Sequence, residues 1–180
     1  MSDARSCDIV CERLFVAGLA ALYAFEASED IPGQWQRFAP HIGQVPGQMG
    51  PEAYGVSRNF DDAGTFEYLV GVRVRDFTGL PNDLTAMTIE PRRYAVFTHH
   101  GHVGALHRVH LTIWNDWAPK SGAKIASAPN FELYTKDFSR VTGLGGIEIW
   151  VPVDCDLGAM GVCSSRDRRA SRRGVGGVSG

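Results

Sequence analysis

Two short runs in the second half of this 180-residue chain set a carboxylate beside an aromatic ring at i+2. Glu132 precedes Tyr134 in Phe131-Glu132-Leu133-Tyr134, and Glu148 precedes Trp150 in Ile147-Glu148-Ile149-Trp150-Val151. Along an extended chain, residues i and i+2 point the same way. Each run therefore presents its acid and ring together, and Ile147, Ile149, Val151 and Val153 form an aliphatic face behind the second pair. A carboxylate in an apolar, aromatic cleft loses hydration, which raises its pKa unless a cation arrives. A lipophilic cation supplies the missing charge, and each desolvated ring face adds about 2 kcal/mol. The pattern thus suits recognition of hydrophobic cations, with size and apolarity counting for more than shape. It equally suits acid–base work, a carboxylate activating water while a phenol donates a proton. The bland reading is a strand with one wet face, and taken alone the residues leave it level with the others.

The elements that must position these residues come in two copies. Trp-x-x-aromatic-Ala-Pro occurs at residues 35–40 and again 79 positions on, at 114–119; Pro-x8-Phe occurs at 51–60 and again 78 positions on, at 129–138. Two copies are too few for a solenoid. They suit one domain of two like halves with a groove at the seam, where ligand sites tend to sit. Each half reads as strand, helix, strand, strand. The first has a strand at 14–22, a helix opened by Ile31-Pro32 that carries Trp35 and Phe38 on one face, and strands at 53–60 and 66–74. The second has a strand at 94–99, a helix over 103–117 with Leu106, Val109, Ile113 and Trp117 at helical spacing, and strands at 131–138 and 146–153. Residues 76–83 link the halves. The expected class is α+β: two pseudo-symmetric β-α-β-β halves forming an antiparallel sheet, with helices on one face and a central ligand groove. The repeat also sorts residues. Its Trp, Ala, Pro and Phe recur, whereas Tyr54 and Val56 stand where the second copy has Glu132 and Tyr134. What recurs serves folding; the unrepeated acids are candidates for function.

Composition bounds the rest. At 44 % apolar and 21 % charged, the chain is globular, and a net charge of −2 gives no reason to expect a nucleic acid. Residues 164–180 hold five Arg against one Asp, and Gly, Ser and Arg dominate from Asp156 onward. A folded domain is therefore expected over 1–155 and a disordered tail over 156–180. Cys7, Cys11, Cys155 and Cys163 have weak spacing for zinc, and a reduced, cytoplasmic chain is the expectation. The apolar run 14–25 follows acidic residues, too short to span a bilayer, and reads as a buried first strand. His99, His100, His102, His107 and His110 cluster in sequence, but nothing makes them converge on a metal; neither metal nor cofactor is expected. Trp35, Phe38, Trp114 and Trp117 read as core, Trp114 having the option of reaching the groove, and Glu67 reads as a partner for Arg73.

Three stretches taken in order carry a resemblance. Trp117-Ala118-Pro119-Lys120-Ser121-Gly122, then Phe131-Glu132-Leu133-Tyr134, then Glu148-Ile149-Trp150-Val151-Pro152 resemble the closing signature of the gyrase-inhibitor-like family, also called the AraC-type effector-binding domain. Phe66, Tyr68, Gly71 and Val74 resemble its mid-domain strand, and the likeness runs from about Glu12 to Asp154. The resemblance implies a small-molecule sensor of the multidrug kind, in which an acid among aromatics binds lipophilic, often cationic compounds between the two halves. Carried onto this chain, it makes Glu148 the central acid with Glu132 assisting, and Trp150, Tyr134, Tyr68 and Tyr54 the walls. Many members carry a DNA-binding module in front; here strand-like sequence begins about a dozen residues from Met1. The chain looks like the stand-alone members, integron-cassette proteins among them, linked to transcription regulation or drug sensing without direct DNA binding. Some members hydrolyse strained cyclopropanoid electrophiles, and that alternative would use Glu148, Glu132 and Tyr134. A protein-interaction module with a protein partner is the third reading.

Overall fold

The computed structural model describes residues 7–154. The expected tail at 156–180, with Cys155 and Cys163, lies outside the described residues. Nine strands form one antiparallel sheet: β1 (Cys7–Cys11), β2 (Leu14–Ala24), β3 (Gln48–Arg58), β4 (Thr65–Val74), β5 (Thr85–Ile89), β6 (Arg92–His99), β7 (Lys124–Ile125), β8 (Asn130–Tyr134) and β9 (Ile147–Asp154). The spatial order is β1-β6-β9-β8-β3-β4-β2-β5, with the short β7 on β9. The first half supplies β3-β4-β2 and the second β8-β9-β6, so the halves meet at the β3–β8 pair. Helix α1 (Ile31–Phe38) belongs to the first half. The second carries α2 (Leu106–Thr112), a π turn (Ile113–Trp117) and α3 (Ala118–Ser121), ended by Gly122 in the left-handed region, where glycine has no Cβ penalty. The two β-α-β-β halves expected from the repeat are present.

The leading strands β1 and β5, absent from the sequence reading, are exchanged between halves. β1 runs into β2 through Glu12-Arg13 alone, yet it pairs with β6; β5 runs into β6 through Glu90-Pro91, yet it pairs with β2. Strands joined by two residues thus lie at opposite ends of the sheet, which must curl to bring those ends together. The packing agrees. Cys11 of β1 shares one buried cluster with Met87 and Ile89 of β5, and with Leu14, Val16, Tyr54, Val56, Leu69, Tyr94, Val96 and Phe131. Arg13 and Glu90, one in each link, form an exposed ion pair at 2.9 Å.

The other face of the sheet carries both helices. Phe38 of α1 packs with Ala17, Phe66, Val70, Val72 and Val74, while Leu106 and Ile113 pack with Phe97, Ile147, Ile149 and Val151. Trp35 touches both of these clusters and so spans the seam. The expected buried first strand in the 14–25 run is β2, with Leu14 and Val16 on the inner face and Ala17 and Tyr23 beneath α1. No helix among the described residues is long and apolar enough to cross a membrane. At the centre of the β2–β4 ladder, Gly18 faces Gly71, and a Cβ on Gly18 would collide with the Val70 carbonyl. Gly18→Ala is expected to cost about 1–3 kcal/mol, read as a lower urea midpoint at unchanged slope.

Candidate functional site

Alternation along the strands decides which side chains can meet. In the β8–β9 ladder Glu132 lies opposite Ile149, and Leu133 opposite Glu148. Paired residues share a face, so Glu132 points to the helix side and Glu148 to the inner side. The expectation that the two acids line one groove is therefore corrected: a sheet separates them. Of the six residues expected around the ligand, Glu132, Tyr134 and Tyr68 come together beneath the helices. Glu148, Trp150 and Tyr54 gather on the opposite face.

The repeat spacing misled for the same reason. Tyr54 and Val56 face inward with Phe131, whereas Glu132 and Tyr134 face the helices. The two strands correspond by an odd offset, not by 78, because a slip of one residue turns every side chain to the other face. Tyr54 is thus not the first-half counterpart of Glu132.

On the helix side, the Glu132 carboxylate has every near partner supplied by a different element. Its Oε1 lies 2.8 Å from His110 Nε2 of α2. Its Oε2 accepts from Tyr68 Oη of β4 at 3.2 Å and from Tyr134 Oη of its own strand at 3.0 Å. Trp35 Nε1 of α1 donates to Tyr68 Oη at 3.2 Å, and the Trp35 ring packs on Tyr134 with centroids 4.5 Å apart. Gln34, 1 % exposed, holds α1 in place by donating to the backbone carbonyls of Leu19 and Tyr68. Gly55 of β3 leaves the room: a Cβ there would strike the Tyr68 hydroxyl and come within 3.1 Å of Glu132 Oε2.

The electrostatics follow from these contacts. Burial pushes the Glu132 carboxyl up, but the His110 bond and charge and the two phenols outweigh it, and the group is held below the usual carboxylate range. Burial pushes the His110 imidazole down, and the bond and charge of Glu132 more than offset that, so it is raised. Burial, then the Glu132 charge, hold the Tyr68 and Tyr134 phenols well above 10. The site is an ionised carboxylate, 14 % exposed, under an imidazole that is 27 % exposed, with aromatic walls.

Trp35 and His110 are the residues the sequence reading missed. Trp35 packs in the core as its spacing predicts but also reaches the site, whereas Trp114, which had the option of the groove, lies outside it. The π turn shifts the second helix out of register, leaving Trp114 37 % exposed while Trp117 packs edge-on to Phe97 at 4.8 Å. His110 did carry a signal. It falls on the buried stripe of its helix, with Leu106, Val109, Ile113 and Trp117. The other histidines do not converge on it: His99 bonds the His102 carbonyl and His102 caps the Gly104 amide. Among the described residues no group of three or more His, Cys, Asp or Glu could hold a metal.

On the inner side, Glu148 accepts from Trp150 Nε1 at 3.0 Å, and Trp150 stacks on Phe131 with centroids 5.2 Å apart. Trp150, Tyr54, Arg73, Leu133 and Cys11 line part of a cavity of about 220 Å³. Burial pushes the Tyr54 phenol up to about 12. Arg73 is not the partner of Glu67. That acid binds Arg58 at 2.7 Å and Asn59 at 3.0 Å, since Arg58 lies directly opposite it in the β3–β4 ladder.

The fold is that of a small-molecule binding domain. The chain belongs to the family of the GyrI-like small molecule binding domain, whose model matches residues 12–154; this is the family the closing signature resembled. It is 24 % identical over 147 residues to the transcriptional regulator BrlR of Pseudomonas aeruginosa, covering 80 % of this chain and 54 % of BrlR. The chain thus spans about half the length of that relative. Among solved structures, SAV2435 bound to tetraphenylphosphonium has a TM-score of 0.70 at 22 % identity, covering 83 % of this chain and 94 % of that one. An integron cassette protein from the mobile metagenome of Vibrio cholerae has a TM-score of 0.61 at 17 % identity, covering 83 % and 97 %.

The His110–Glu132 pair makes stability depend on pH. With a folded value above 6.5, His110 contributes fully below 6.5 and loses its contribution as pH rises through the raised value. With a folded value below 4.5, Glu132 contributes above 4.5 and loses it as pH falls through the depressed value. Urea titrations of wild type and His110→Gln should therefore differ most between pH 4.5 and 6.5, by about 1–3 kcal/mol. The gap should close on either side.

Proposed function

We propose that this protein binds hydrophobic cations at the Glu132 cluster, without turning them over. The observation that carries the reading is a single ionised carboxylate enclosed by Trp35, Tyr68 and Tyr134 at the seam of the two halves. A buried carboxylate whose one charge partner is a titratable imidazole can exchange that partner for a ligand that brings positive charge and needs little hydration. Ring faces add cation–π attraction that tolerates different ligand shapes. The tetraphenylphosphonium held by SAV2435 is a compound of this chemistry. Glu148 stands across the sheet, so the reading moves the central acid from Glu148 to Glu132.

Titrating the protein with tetraphenylphosphonium, followed by calorimetry and tryptophan fluorescence, tests it. Glu132→Gln keeps the side-chain volume but removes the charge, and should weaken binding at least tenfold, about 1.4 kcal/mol. Glu148→Gln should leave affinity within about twofold, since its carboxylate lies on the other face. Equal losses from both variants, or a loss confined to Glu148→Gln, would refute the assignment.

The hydrolytic alternative also changes shape. Of its three expected residues, Glu132 and Tyr134 are in contact at 3.0 Å, while Glu148 is out of reach on the inner face. His110 on Oε1 and both phenols on Oε2 would have to give way to, or share those oxygens with, a water that Glu132 activated. Incubation with a cyclopropane-type electrophile should give no turnover above a Glu132→Gln control; loss of substrate with wild type alone would make the protein an enzyme.

A further inference from the structure

The Glu132 carboxylate already has a titratable base on it. His110 Nε2 sits 2.8 Å from Oε1 and comes from α2, whereas Trp35 comes from α1 and bonds the Tyr68 hydroxyl. We propose that His110 is the resident counter-cation of the Glu132 site, one that an incoming ligand cation must displace or discharge. This inference rests on the reading of Glu132 as the ligand acid and adds the residue that regulates it.

The surroundings leave His110 in sole charge of that carboxylate. From β8 come Glu132 itself and Tyr134; from β4 comes Tyr68, whose own neighbour is Tyr23 of β2 at 6.4 Å between ring centroids. From α1 come the uncharged Trp35 and Gln34, and from β9 the residues on this face are Ile147 and Ile149. On α2, His107 and Arg108 are exposed. Both phenols stay neutral across the physiological range. No charged side chain other than His110 acts on Glu132 among the described residues. Two positive charges sharing one carboxylate repel each other, so ligand cation and imidazolium compete for it. Glu132 stays ionised throughout neutral pH; His110 is the group that changes state there.

Competition between a proton on His110 and a ligand on Glu132 is reciprocal. Each must weaken the other by the same factor. Tetraphenylphosphonium, whose charge is permanent, should bind wild type about tenfold tighter at pH 8.5 than at pH 5.5. Binding near neutral pH should release protons, seen as a calorimetric heat that changes with the ionisation enthalpy of the buffer. The His110 imidazole, followed by NMR, should titrate at lower pH when the ligand is saturating.

Two variants separate competition from a structural role. His110→Gln should bind with little pH dependence and more tightly than wild type at pH 5.5. His110→Lys, charged at every pH used, should bind weakly throughout. Circular dichroism checks that each is folded, and the proton-release and NMR measurements need wild type only. Wild-type binding with no pH dependence and no proton release overturns the proposal, as does a His110→Gln slope equal to that of wild type. No binding at any pH by wild type or by His110→Gln overturns instead the assignment of Glu132 as a cation site.

Discussion

A carboxylate away from bulk water persists only if each oxygen is matched, and Glu132 meets that condition through Tyr134 of its own strand and through Tyr68 and His110, which are remote in sequence. Tyr68 is 64 residues away and His110 is 22. Trp35, further still, reaches it through the Tyr68 hydroxyl. The charge is enclosed with these partners only when both halves are folded against each other, so the site and the seam form together. Gly55 and Gln34 serve the same end from the scaffold, one by leaving space for the phenol and the other by fixing α1 to the strands beneath.

The exchange of leading strands explains why that seam is firm. Each half contributes an edge strand to the other, through links of only two residues. The sheet curls, its inner face fills with side chains from both ends, and the helices are left on the outer side with Trp35 bridging their two clusters. One consequence is chemical. The sheet keeps two carboxylates of the same half apart, Glu132 under the helices and Glu148 beside Trp150 on the inner face.

Much of this was legible from the residues. The duplicated Trp-x-x-aromatic-Ala-Pro string announced two like halves, the strands at 14–24, 65–74, 92–99 and 147–154 followed their apolar runs, and the family signature pointed to a receptor for small molecules. The leading strands were not legible: β5 has only five residues, and its pairing with β2 is set by tertiary exchange and not by a local turn. Within the site, Glu132, Tyr134 and Tyr68 were named and do meet. His110 and Trp35 were set aside because a histidine or tryptophan on a helix reads as surface or core until its neighbours are known.

Composition and local periodicity alone determined the fold class, the two-fold plan and which residue types could serve a hydrophobic cation, because these depend on properties each segment carries by itself. Which acid lies beneath the helices was decided by tertiary structure. Strand alternation places Glu132 and Glu148 on opposite faces, but only the β8–β9 register says so, since one residue of slip would have brought them together. The π turn likewise sends Trp114 outward while its repeat partner Trp35 points in, a difference of helix winding that identical Trp-x-x-aromatic-Ala-Pro strings cannot encode.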